Sequence, residues 1–294
     1  MFLSALIAGS LFTPAQPSVK PFEFKDGDRI VWIGGTMVER EQTYGYWETA
    51  LTAANPDKNL TFRNLGWSGD TVGGESRAAF DPPSKGYERL VSLTLELKPT
   101  VIFISYGANE SFEGEAGLPR FEQGLEKLLD SLKPANARIV LFTPLPCQTH
   151  MGYPDPAVRN KSLALYGKSI GKIARTRGHY FADHFNASSR LPENATENGV
   201  HLTAEGYKTE THAFLTSIGG EFRLPNWEKV EPLRKAIVEK NQLFFYRWRP
   251  QNETYLFGFR KHEQGKNAKE VAEFDPLVAK AEEKIAELKK GLVK

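Results

Sequence analysis

Two short apolar runs that each stop at glycine do most to limit the fold. Arg29-Ile30-Val31-Trp32-Ile33 runs into Gly34-Gly35-Thr36, and Val101-Ile102-Phe103-Ile104-Ser105-Tyr106 runs into Gly107-Ala108-Asn109. Continuous apolar runs without polar alternation suit strands buried on both faces, as in a parallel sheet. Glycine lets the backbone turn sharply at the strand end. The next side chain then arrives at the rim of the sheet, where open α/β sheets bind their ligands. Thr36 and Asn109 stand at such rims. Taken alone, Gly34-Gly35-Thr36 also fits a Thr capping the following helix.

The rest of residues 24–218 keeps the same rhythm. Strands are expected at 29–34, 59–64, 101–106, 138–143 and 179–182. Helical spacing falls at 46–54, 87–97, 121–132 and 158–177, and from a Thr203 cap through Tyr207 to about Ile218. Regular β/α alternation predicts an α/β fold, a parallel sheet between two layers of helices. Residues 219–294 differ in character. A helix is expected over 227–241, then an aromatic- and arginine-rich arm from Phe244 to Arg260, then a charged amphipathic helix over 276–292. Its apolar residues need a partner surface, so this C-terminal extension is expected to pack on the α/β domain, anchored by Phe244, Tyr255 and Phe257.

Composition narrows the function classes. A net charge of +2, without a Lys/Arg run, gives no basis for nucleic-acid binding. The single cysteine, Cys147, excludes an internal disulfide and a Cys-rich metal cluster. His179, His184, His212 and His262 show no metal-ligand spacing, so no metal or cofactor is expected. Phe2 to Phe12 is almost wholly apolar or small, and a small-residue cleavage site follows Ala15. Residues 1–20 therefore read as a secretory signal peptide and lead-in, which predicts an exported protein without a membrane span.

Four loops carry the polar residues that chemistry needs: Gly34-Gly35-Thr36, Ser68-Gly69-Asp70, Gly107-Ala108-Asn109-Glu110 and Asn198-Gly199-Val200-His201. On a parallel sheet they converge on one rim. Together they offer a hydroxyl, a glycine N–H, a side-chain amide and an imidazole, the parts of an acyl-transfer site. In order and spacing these blocks resemble the SGNH/GDSL hydrolase superfamily, over roughly residues 28–215. The resemblance implies a three-layer α/β/α fold with a flavodoxin-like parallel sheet and an ester hydrolase activity. It also implies Thr36 as nucleophile, Gly69 and Asn109 as oxyanion donors, His201 as base and Asn198 as its orienting partner.

Two positions depart from that pattern. Thr36 stands where the family has Ser, and its extra methyl stiffens χ1 and crowds the attack. Asn198 stands where the family has Asp. An amide carbonyl can accept the Nδ1 proton of His201 but supplies no negative charge; Glu193 or Glu197 is a candidate substitute. Two readings follow: hydrolysis of a small acyl ester, possibly an acetyl ester of a carbohydrate, through a modified triad, or retention of a glycan or carboxylate without turnover. Arg40, just beyond Thr36, and Arg247, Arg249, Asn252 and Arg260 in the arm are the candidate substrate-binding groups, because planar cations and amides suit sugars and anionic esters.

Overall fold

The computed structural model describes residues 21–151, 155–219, 222–263 and 267–292. The segment read as a signal peptide lies outside them. Five strands, β1 (Arg29–Gly34), β2 (Thr61–Asn64), β3 (Val101–Ser105), β4 (Arg138–Phe142) and β5 (Tyr180–Ala182), form one sheet in the order β2-β1-β3-β4-β5. Every adjacent pair is parallel. This is the flavodoxin-like order, and its topological switch lies between β1 and β3.

The helices are α1 (Thr36–Tyr44), α2 (Tyr46–Ala54), α3 (Pro83–Glu96), α4 (Gly114–Leu132), α5 (Pro156–Arg177), α6 (His184–Ala187), α7 (Ala204–Ile218), α8 (Trp227–Trp248), α9 (Glu253–Leu256) and α10 (Phe274–Lys290). Strand alternation sends side chains to two separate cores. Val31, Ile33, Ile102 and Ile104 face Leu125, Leu129 and Ile170 of α4 and α5. Ile30, Trp32 and Phe103 face Trp47, Phe214 and Leu215 of α2 and α7. On that second face Trp47 stacks on Phe214 at 4.8 Å, and Trp32 stacks on both at 5.5 and 5.4 Å.

Two departures from the sequence expectation concern α1 and α8. Residues 36–44 form a helix directly after β1, with Gly35 as its N-cap and no side-chain cap, so Thr36 is the first helical residue and not the cap. Helix α8 continues to Trp248, absorbing the first turn of the expected arm. Phe244 is buried against Arg63, whose guanidinium lies 5.2 Å from its ring centre. Phe257 is exposed and anchors nothing. Thr203 does cap α7, its side chain accepting the Gly206 N–H at 2.9 Å.

The described part of the extension covers β2, one of the two edge strands, whose unpaired backbone would otherwise face water. From α8, the Lys240 Nζ donates to Phe62 O of β2 at 3.1 Å and to Glu48 Oε1 of α2 at 2.7 Å. From α10, Glu282 pairs with Arg63 of β2. Among the described residues, no helix is long and apolar enough to cross a membrane.

Candidate active site

The carboxyl ends of β1, β2 and β3 bring three of the four loops together. Thr36 Oγ1 accepts the Gly69 N–H at 3.2 Å. Gly69 holds φ at +73°, a left-handed backbone that a side chain would strain. Asn109 donates one amide hydrogen to Asp70 O at 2.7 Å, and its second remains available to a ligand.

The loop after β2 is fastened from beneath. Asp70 and Arg77 form a fully buried ion pair at 2.7 Å, and the Tyr106 hydroxyl donates to Asp70 Oδ2 at 2.8 Å. Arg77 also donates to Leu65 O at 2.8 Å. Asn64 ties the loop to α1, its Nδ2 donating to Val38 O at 2.6 Å and its Oδ1 accepting the Gly66 N–H at 2.8 Å. Glu110 bridges the second and third loops by accepting the Val72 and Gly107 N–H groups, both at 2.9 Å. Burial raises its carboxyl above the usual range while these bonds oppose the shift.

A close backbone approach between loop and helix gives a direct test of this support. A Cβ on Gly66 would lie 2.3 Å from Glu39 N and 2.7 Å from Glu39 Cα, in the first turns of α1. Gly66→Ala is expected to destabilise the protein by about 1–3 kcal/mol, read as a lowered unfolding midpoint. Because α1 carries Thr36, activity of the folded variant should fall as well.

Thr36, Asn109 and His201 line one cleft of about 780 Å³, measured out to its open mouth. Arg40, Arg159 and Glu110 are charged residues of its lining, and Leu145, Pro146, Cys147, Leu163 and Leu202 are among its apolar ones. Arg159 donates to Ser111 Oγ at 2.7 Å and Ala108 O at 2.5 Å, bracing the loop that carries Asn109. Burial pushes the Cys147 thiol up, so it stays protonated and is no activated nucleophile. Thr36 Oγ1 makes no hydrogen bond to His201 among the described residues; the two groups share the cleft.

Asn198 meets His201 differently from the sequence expectation. Its Oδ1 accepts the backbone N–H groups of Val200 and His201, at 3.2 and 2.9 Å. Its Nδ2 therefore faces His201 Nδ1, at 3.0 Å. The carbonyl expected to receive an Nδ1 proton is already engaged by the turn of the chain. Glu197 does not take its place, because it pairs with Arg40. Glu193 is exposed and makes no bond to His201. Burial first, and the Arg40 guanidinium next, hold His201 below the ordinary histidine value against the opposing pull of Glu197. Both influences favour the neutral imidazole.

Of the proposed binding groups, Arg40 lines the cleft, held by Tyr44, Glu197 and the Leu202 carbonyl. The arm residues do not line it. Arg247 pairs with Asp275 at 2.8 Å and Arg260 with neighbouring Glu263. Asn252 sits at the start of α9. Arg249 lies 3.5 Å from the Trp67 ring centre and 2.9 Å from Glu39 Oε2, which also accepts the Ser68 N–H at 2.5 Å. It braces the outside of the loop that carries Gly69. Sequence reading missed this role of Glu39, and those of Asn64, Arg77 and Glu110; the position of Glu110 directly after Asn109 was the one available signal.

The model of the GDSL-like Lipase/Acylhydrolase family matches residues 27–209. Among solved structures, the chain is similar to Axe2, an acetylxylan esterase from Geobacillus stearothermophilus. Identity is 22% and the TM-score 0.53, over 68% of this chain and 98% of that one. A catalytic mutant of Axe2 gives 21% identity and a TM-score of 0.54, over 68% and 98%. LAE5, an alpha/beta hydrolase enzyme from the metagenome of Lake Arreo, Spain, gives 22% and 0.53, over 67% and 97%. At these identities the likeness is one of fold. A search of curated proteins found no match. The family match spans more than half of the chain and contains all four loops, so the chain belongs to the GDSL-like lipase/acylhydrolase family, as a hydrolase of SGNH type.

Proposed function

We propose that the cleft hydrolyses small acyl esters, with an acetyl ester of a carbohydrate as the substrate class. The observation that carries this reading is the contact of Thr36 Oγ1 with the Gly69 N–H at 3.2 Å, in a cleft that Asn109 and His201 also line. A hydroxyl beside a preorganised N–H, with a second amide donor at hand, is the arrangement acyl transfer uses to hold a developing oxyanion. Thr36 Oγ attacks the ester carbonyl and its proton passes to His201 in the fraction of molecules whose Nε2 carries the lone pair. The tetrahedral oxyanion is held by Gly69 N–H, the Asn109 amide and the backbone N–H near Thr36. Collapse expels the alcohol, which takes the proton from His201, and water then releases the acid from Thr36 by the same route. The acetylxylan esterases of similar fold support the carbohydrate acetyl ester as first substrate to try. Residues 1–20, read as a signal peptide, support action outside the cytoplasm.

The test is release of acetate from aryl acetates and acetylated xylo-oligosaccharides by the purified full chain. Thr36→Ala and His201→Ala are each expected to lower the rate by about 10²-fold or more. Activity that survives Thr36→Ala removes Thr36 as nucleophile. A second reading, ligand retention without turnover, is favoured by one observation: the Asn198 amide nitrogen, not its oxygen, faces His201.

A further inference from the structure

We infer that Asn198 is a positioning residue that holds the neutral His201 in its Nε2–H tautomer, so that the resting cleft is a receptor for small monocarboxylates. The inference rests on the reading of this cleft as the acyl site and specifies its resting chemistry. The argument begins with the turn Asn198-Gly199-Val200-His201. Two backbone N–H groups converge on the side chain of Asn198, and only its oxygen can accept them. Exchanging the amide oxygen and nitrogen would set an NH₂ against two N–H donors, so the amide orientation is fixed by the backbone. The nitrogen must then point at Nδ1, 3.0 Å away. An NH₂ donates and does not accept, so Nδ1 carries the lone pair and the ring proton sits on Nε2.

His201 lines the cleft, and with Nδ1 turned to Asn198 the ring nitrogen left for a ligand is Nε2. There His201 offers a donor in place of a base. The second Asn109 amide hydrogen and the Thr36 hydroxyl are donors in the same cleft. All three are donors, so the ligand that complements them is one that only accepts hydrogen bonds, and an ionised carboxylate is such a group. The apolar lining residues Leu145, Pro146, Cys147 and Leu163 suit a short hydrocarbon tail on that carboxylate. Arg40 adds positive charge, although Glu197 partly neutralises it.

The experiment is ¹⁵N NMR of the imidazole in the unmodified protein, followed by titration with butyrate and, as an uncharged match in size, butyramide. The expected spectrum shows His201 protonated at Nε2 and unprotonated at Nδ1, and butyrate binds at least tenfold more tightly than butyramide. In Asn198→Asp the carboxylate accepts an Nδ1 proton, Nε2 presents its lone pair, and butyrate affinity falls by at least tenfold. An Nδ1–H tautomer in the unmodified protein overturns the inference, as does butyrate affinity equal to that for butyramide or unchanged in Asn198→Asp. The tautomer is read without turnover, so a chain with no esterase activity still tests it. Conversely, an active esterase found in the Nδ1–H form would leave the hydrolase reading standing and remove this one.

Discussion

Asn198→Asp is expected to raise kcat/KM on aryl acetates by about 10³- to 10⁴-fold. The expectation mirrors the loss when the triad Asp of a serine protease is exchanged for Asn, about 10⁴-fold through the wrong tautomer. In this chain the local geometry already suits the carboxylate. One oxygen would keep the two N–H groups of Val200 and His201, now accepted at 3.2 and 2.9 Å, and the other would face Nδ1. That second oxygen would accept the Nδ1 proton and stabilise the imidazolium that the proposed attack by Thr36 forms. Thr36→Ser in the same background should add to the gain by removing the methyl that restricts χ1. The check is steady-state kinetics on both variants, with the His201 tautomer read in parallel. If the tautomer switches and the rate does not rise, Thr36 is not poised to attack a carbonyl, and the nucleophile assignment fails.

The fold was legible wherever buried strands end in glycine. The runs ending at Gly34 and Gly107 announced a parallel sheet, and three of the four loop residues followed from counting past strand ends. The helix that begins at Thr36 was harder to see because Thr-Met-Val-Glu-Arg-Glu-Gln-Thr-Tyr buries only Val38 and Glu41. Its apolar periodicity is weak, and its position is fixed by the close approach of Gly66 instead. Charged residues misled for a related reason. Arg249 and Arg260 look alike as residues of an aromatic segment. One stacks on Trp67 across the domain while the other pairs with Glu263 three residues on, and only tertiary contacts separate the two roles. The orientation of the Asn198 amide was likewise invisible, since it depends on where the next two N–H groups point.

The arm's attachment yields the second large effect. Glu48 of α2 and Lys240 of α8 pair at 2.7 Å in the interior, and the Lys240 side chain is 1% exposed. Glu48 Oε2 also accepts the Asn241 amide at 3.0 Å, while Lys240 donates to Asn241 Oδ1 at 2.7 Å and Phe62 O at 3.1 Å. Burial pulls the Lys240 pKa down and Glu48 is the chief opposing influence, so the cation depends on its partner. Glu48→Ala strands that charge away from water and should destabilise the protein by about 3–5 kcal/mol. For a chain of this size the unfolding midpoint should then fall by on the order of 10 °C. Replacing both members, Glu48→Leu with Lys240→Met, removes the stranded charge and should recover most of the loss, because well-packed apolar pairs match buried ion pairs in stability. Thermal unfolding of the single and double variants decides the point. A single variant within 1 °C of the parent, an interval of well under 1 kcal/mol, would mean that Lys240 is solvated or neutral and that α8 is held to the domain by its apolar face alone.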